Sequence, residues 1–125
     1  MNLERARLFH SWELTPKEAI ALQKELREAV SLQDRLPTEV RTLGGLDLGF
    51  ENGGETTRAA TVVLDASTLK VLDYAIIRQP TVWPYIPGLL SFREIPAGLV
   101  ALSKLKVTPE LLLCDGQGSA HPRRL

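Results

Sequence analysis

Cysteine is almost missing from this chain: Cys114 is the only one among 125 residues, which excludes an internal disulfide and a cysteine-built zinc cage. A lone thiol fits a reducing compartment. The opening Met1-Asn2-Leu3-Glu4-Arg5-Ala6-Arg7 lacks the basic-then-apolar order of a signal peptide, and no apolar run approaches bilayer-crossing length. The expectation is a soluble, cytoplasmic protein with no membrane and no obligate protein partner. Excess charge of one sign is absent too. Fifteen Lys and Arg balance fifteen Asp and Glu, so no global cationic field argues for nucleic acid; such a partner has to be read from local features. Internal repeats and low-complexity stretches are also lacking. At 13.8 kDa the chain can bury one core, and a single domain over 1–125 is expected.

Leu14-Thr15-Pro16-Lys17-Glu18 is a helix start, with Thr15 as cap, Pro16 at the first helical position and Glu18 completing a capping box. Ala19, Leu22, Leu26, Ala29 and Val30 recur at helical spacing, which predicts a helix from Pro16 to about Leu32. After Pro37 the pattern becomes strand-like near Thr42–Phe50, Ala59–Leu64 and Leu69–Ile77, with turn-rich joints short enough for an antiparallel meander. Residues 78–90 hold Pro80, Pro84 and Pro87, too many for a central strand or a helix interior. A second helix is expected from about Pro96 to Lys104. The apolar run Leu111-Leu112-Leu113-Cys114 then predicts a strand covered on both faces. A helix feeding such a strand is a parallel crossover, and the last strand would lie beside the first. The ending Gly116 to Leu125 has the character of a strand-to-helix loop, so one face of the sheet is expected to lack its cover.

Three acidic residues stand where a solvated charge is not needed: Asp47 inside Gly45-Leu46-Asp47-Leu48-Gly49-Phe50, Glu94 in Ser91-Phe92-Arg93-Glu94-Ile95-Pro96, and Asp115 ending the last strand. Converging carboxylates are the usual cage for hard divalent metals, and phosphodiester hydrolysis is a chemistry that such a cage supports. Each has a structural alternative. Asp47 fits a polar sheet edge, Ser91-to-Glu94 is formally a capping box that Pro96 weakens, and Asp115-Gly116-Gln117-Gly118 fits a tight turn. His121-Pro122-Arg123-Arg124 adds a potential proton donor and two cations near Asp115, or an ordinary basic tail. Trp83-Pro84-Tyr85-Ile86-Pro87 puts two aromatics on a stiff loop; Trp83 reads as a core anchor, and Tyr85 as either an anchor or a wedge between bases.

Together these residues resemble the endonuclease V family of deoxyinosine-specific nucleases. The matching segments are Asp47-Leu48-Gly49-Phe50, the stretch Pro84-Tyr85-Ile86-Pro87-Gly88-Leu89-Leu90-Ser91-Phe92-Arg93-Glu94, and Asp115-Gly116-Gln117-Gly118-Ser119-Ala120-His121-Pro122-Arg123-Arg124. The resemblance implies an α/β, ribonuclease H-like fold whose mixed sheet is an antiparallel meander followed by a parallel crossover, with 1–36 as a helical segment and 37–125 as the first part of the catalytic sheet. Its implied reaction is Mg²⁺-dependent hydrolysis, with Mn²⁺ as a substitute, of the second phosphodiester 3′ to deoxyinosine in DNA; inosine RNA is a further implied partner. Asp47, Glu94 and Asp115 become the metal carboxylates. Tyr85 becomes the strand-separating wedge, and Leu90, Gly116 and Gly118 line the pocket for the flipped base. His121 stands near the scissile region, and Arg93, Arg123 and Arg124 meet phosphates.

Two departures qualify the resemblance. Ser119 replaces an aliphatic residue, and family members continue past this sequence into a helix, further strands, a lysine and a fourth acidic residue. The sequence is therefore expected to be the first part of the family domain, with its C-terminal part missing. A catalytically silent nucleic-acid-binding remnant is the alternative function, and another ribonuclease H-like nuclease is a third.

Overall fold

The computed structural model describes residues 10–123. Helix α1 covers Pro16–Leu26, and its start is the expected capping box: the Thr15 hydroxyl accepts from the Glu18 amide and Glu18 accepts from the Thr15 amide, each at 3.2 Å. It stops earlier than its apolar pattern predicts. A 3₁₀ turn over Arg27–Ala29 follows, and Val30 is 43 % exposed. A helix is held mainly by the face it packs, and α1 has no buried residue past Gln23.

Strands β1 (Thr42–Glu51), β2 (Thr56–Asp65) and β3 (Val71–Pro80) form the predicted antiparallel meander, each a little longer than its apolar core. Between β2 and β3, Asp65 accepts from the amides and hydroxyls of Ser67 and Thr68. Those donors, the Thr68 amide foremost, hold its carboxyl down to about 2. Helix α2 (Leu90–Ser103) crosses one face and leads to β4 (Leu111–Cys114), which pairs in parallel with β1. The sheet order is β3-β2-β1-β4.

Helix α2 begins six residues before the predicted Pro96, which lies in its interior. Proline removes one helical hydrogen bond. Here burial of Phe92, Ala97, Ala101 and Leu102 outweighs that cost, so tertiary packing overrides propensity. The Ser91–Glu94 capping box does not form: the N-cap is Leu89, without a side-chain hydrogen bond.

Two apolar clusters organise the chain. Ala59, Ala97 and Ala101 join Leu48 and Ile77 between α2 and the sheet. Ala19, Trp83, Leu89 and Phe92 gather Trp12, Leu14, Ile20, Leu22 and Ile86 around the proline-rich loop. Trp83 is thus the core anchor expected of it, its indole N–H donating to the Trp12 carbonyl at 3.3 Å. The opposite sheet face is open, with Tyr74 67 %, Leu113 60 % and Ile76 54 % exposed. In β4, Leu111 and Leu112 are half-buried and Leu113 and Cys114 exposed, which corrects the expectation that the strand would be covered on both faces. Among the described residues no helix is long and apolar enough to cross a membrane.

β1 and β4 can only meet because Gly44 has no side chain. A Cβ there would stand 2.7 Å from two ring carbons of Pro109 and 3.0 Å from Leu112. Gly44→Ala is expected to destabilise the chain by about 1–3 kcal/mol through overpacking against that rigid ring, visible as a lowered urea midpoint. An unchanged midpoint would show that Pro109 yields freely.

Candidate functional site

Register places the acidic residues. The last β1–β4 pair is Leu46 with Cys114, so Asp47 and Asp115 come next on their two chains, where β4 has ended and β1 continues. Leu46 and Leu48 lie under α2 at Gly98, and strand alternation turns Asp47 to the open face. There it is exposed, and its carboxylate accepts from the Leu48 amide at 2.9 Å. Asp115 is exposed just past the strand end. Both line a depression of about 560 Å³ on the open face, together with Ala60, Val62, Tyr74 and Ile76.

Glu94 approaches from the other side, on the second turn of α2, and is half-buried. Burial pushes its carboxyl above the ordinary value of 4.5. The Asp47 charge raises it further, Arg93 opposes, and Asp115 adds a smaller upward push. Glu94 thus feels both aspartates, and Arg93 alone does not offset burial and their charge.

All the donors are oxygens, the chemistry of a hard divalent cation. The expected closed cage is nevertheless not assembled: among the described residues no three His, Cys, Asp or Glu side chains come close enough together to hold a metal ion. The physical reason is their origin. Asp47 faces one side of the sheet, Glu94 belongs to a helix on the other, and Asp115 lies beyond the strand, and like charges resist closer approach.

Tyr85 is 65 % exposed on the proline-rich loop, and Leu90, at the head of α2, is 39 % exposed. Gly116 and Gly118 follow Asp115, with Gly118 in the left-handed region at φ 55°. The His121 ring accepts the Arg123 amide at Nδ1, 3.0 Å, which leaves Nε2 to carry the proton of the neutral ring.

The arginines divide. Arg93 stacks over Phe50, 4.2 Å from the ring centre, and donates to the Gly54 carbonyl at 3.3 Å; its Nε is buried without a partner. It braces the β1–β2 turn instead of reaching outward. Arg123 donates to the Gly88 carbonyl at 3.2 Å and is half-buried. Arg124 lies outside the described residues. Arg93 and Arg123 each spend one N–H on a backbone carbonyl, and a guanidinium carries five such donors.

Residues not singled out in the sequence carry cations on the open face. Arg58 and Arg78 pair across β2 and β3, and both meet Glu51, at 2.9 and 3.0 Å. The Arg78 hydrogen bond is the main reason that the Glu51 carboxyl sits below its ordinary range. Their signal was alternation: each occupies an open-face position in its strand. Gln23 was missed as well, although it sits between Ala19 and Leu26 on the buried stripe of α1.

A larger depression of about 890 Å³ lies between the start of α1, Trp83 and α2. It contains none of the candidate carboxylates, and the Glu18 in its wall is engaged in the helix cap.

Comparison with known proteins places these features. A family model described as Endonuclease V matches residues 24–125. Endonuclease V of Azotobacter vinelandii is 56 % identical over 94 % of this chain and 52 % of its own length. That of Nostoc punctiforme is 49 % identical over 93 % and 52 %. Among solved structures, Endonuclease V of Streptomyces avermitilis matches with a TM-score of 0.82 and 44 % identity, covering 92 % of this chain and 51 % of that one. Ciona intestinalis Endonuclease V, solved with DNA containing an inosine followed by a ribo-adenosine, matches at 0.76 and 28 % identity over 89 % and 51 %. The chain spans about half the length of these relatives. Its mixed sheet is the ribonuclease H-like architecture.

The electrostatics of Glu94 give a signed prediction. A carboxyl whose folded pKa is raised binds its proton more readily when folded, so its term favours folding at low pH. That term is lost as pH rises from about the ordinary 4.5 through the raised value. Glu94→Gln is expected to stabilise the chain in chelator at neutral pH by a few tenths to about 1 kcal/mol, discounted for its partial exposure. The gain should vanish at pH 4 and below, read from thermal melts across pH; a gain independent of pH would refute this origin.

Proposed function

This chain belongs to the endonuclease V family, and from that premise we propose that it forms the nucleic-acid-engaging part of a divalent-metal-dependent endonuclease acting on DNA at deaminated bases. Deoxyinosine is the lesion proposed, with the cut at the second phosphodiester on its 3′ side. The observation that carries the reading is that Asp47 and Asp115 follow the last β1–β4 pair on neighbouring chains and that the charge of each raises Glu94.

Asp47 and Asp115 would hold Mg²⁺ or Mn²⁺, with Glu94 completing the set or orienting water. When bound, such a cation stabilises developing charge on a phosphate and lowers the pKa of water, so no protein nucleophile is needed. The protein's share is positioning. Burial of Glu94 keeps a proton acceptor poised beside the two aspartates. The glycines after Asp115 permit close approach of a ligand to the backbone, and Leu90 adds an apolar wall for an extruded base. An inosine pairs weakly, so extruding it costs less than extruding a well-paired base. Tyr85, exposed on a loop anchored by Trp83 and Leu89, is suited to fill the gap that the base leaves. His121, with Nε2 free to carry a proton, would serve the scissile region as a donor. Inosine-containing RNA offers the same base and is an alternative substrate.

One observation favours the second reading, a binding remnant that does not cleave: the carboxylates do not close into a metal-holding group among the described residues. The two readings separate in one assay. With an end-labelled duplex carrying a single deoxyinosine, the endonuclease reading expects a nick 3′ to the lesion in Mg²⁺ and none in chelator. Asp47→Ala should lower the rate by about a hundredfold or more. Binding without a nick, unchanged by Asp47→Ala, would select the remnant. Equal cleavage of an unmodified duplex would remove inosine as the substrate.

A further inference from the structure

The base of the proline-rich loop is held by a contact that neither reading above requires. The Gly88 carbonyl accepts from the Gln23 carboxamide at 2.9 Å and from the Arg123 guanidinium at 3.2 Å. These donors come from α1 and from the segment after β4, so three distant parts of the chain meet at one oxygen. Gly88 is in the left-handed region at φ 81°, and a Cβ there would overlap Arg123 Nη2. Arg27 of the turn after α1 also donates to the Pro122 carbonyl, at 3.4 Å.

The junction is kept against a local cost. Gln23 is only 5 % exposed, and among the described residues its Oε1 has no hydrogen-bond partner; Arg123 Nε is buried in the same condition. A contact serving stability alone would be cheaper with apolar groups. Departures from local rules concentrate where geometry is needed for function.

We propose that Gln23 and Arg123 are positioning residues that fix Tyr85 against the Gly116–Gly118 loop by clamping the Gly88 carbonyl between them. The inference rests on the nucleic-acid reading above. Strand opening is a relative displacement: the inserted side chain must not retreat while the extruded base is held. Tyr85 stands three residues before Gly88, and Arg123 follows Gly118 by five on the loop that leaves β4. Gln23 supplies the fixed third point, because α1 is anchored through Ala19 to the cluster of Trp83, Leu89 and Phe92. Without the clamp, the two loops keep their side chains but lose their mutual distance.

Such a role concerns only duplex substrates, since a single strand needs no wedge. The test uses this 125-residue chain, an inosine oligonucleotide as single strand and as duplex, and 2-aminopurine beside the inosine to report unstacking. Arg123→Met and Gln23→Leu are each expected to weaken duplex binding about tenfold and to suppress the fluorescence rise, while single-strand affinity stays within about twofold. Either change combined with Tyr85→Ala should add little to Tyr85→Ala alone, and Arg123→Lys, which keeps an N–H donor, should recover much of the rise. Equal loss on both substrates, as misfolding or a general phosphate contact would give, overturns the clamp, as does no loss on either. A wild-type chain that binds neither oligonucleotide overturns the nucleic-acid reading and the clamp together, whereas normal wild-type unstacking with unaffected variants overturns the clamp alone.

Discussion

The geometry of the whole site depends on the length of β4. It pairs with β1 for only four residues and ends opposite Leu46, while β1 continues to Glu51. Had β4 run further, Asp115 would be one more ladder residue. Because it stops there, Asp115 and Asp47 flank a notch at the sheet edge, and the chain leaving β4 is released into the glycine-rich turn. The pairing itself relies on the close approach at Gly44, where Pro109 and Leu112 fill the space of a missing side chain. A crevice beyond the carboxyl end of a parallel strand is where α/β sheets commonly bind ligands. Here that crevice is a direct consequence of a short strand.

The two faces of the sheet are built for different purposes. Under α2 they carry Thr57, Ala59, Thr61 and Val63, all buried, and small helix residues Ala97, Gly98 and Ala101 meet them. Small side chains bring the helix axis close, and the closeness carries Glu94 to the notch. The other face combines exposed apolar residues with the Arg58–Glu51–Arg78 cluster. Ion pairs this exposed contribute little to stability, so they do not explain the face as a stabilising device.

Much of this was legible in the residues. The Thr15 cap, the three meander strands, the β1–β4 adjacency and the anchoring of Trp83 follow from turn chemistry, period-two alternation and the crossover rule, which act locally or through topology. The failures have a common cause. The extent of α1 was overestimated because Ala29 and Val30 keep the helical period without any surface to pack on. The start of α2 was placed too late because Pro96 is a strong local breaker, and only the burial of Phe92 and Ala97 overrides it. The carbonyl partners of Arg93 and Arg123 were not legible because charge is visible in a sequence and a distant carbonyl is not. The identities of Asp47, Glu94 and Asp115 could be read, but their incomplete convergence could not, since it reflects which side of the sheet each side chain leaves from.

That incomplete convergence is itself informative. Glu94 is raised first by burial and next by the Asp47 charge, so assembling the three carboxylates without a counter-charge would cost more as they approached. A divalent cation among them would reverse the sign of that cost, because each carboxylate would then gain from approaching it. The site needs no dedicated hinge for this. Asp115 lies just past the end of β4 and before Gly116, and Glu94 lies on α2, whereas Asp47 is fixed within a strand paired along its length with β2. Carboxylates drawn from a strand, a strand end and a helix would leave a cation open to waters and a phosphate oxygen. Metals that retain waters and share ligands with a phosphate demand just such a partial site.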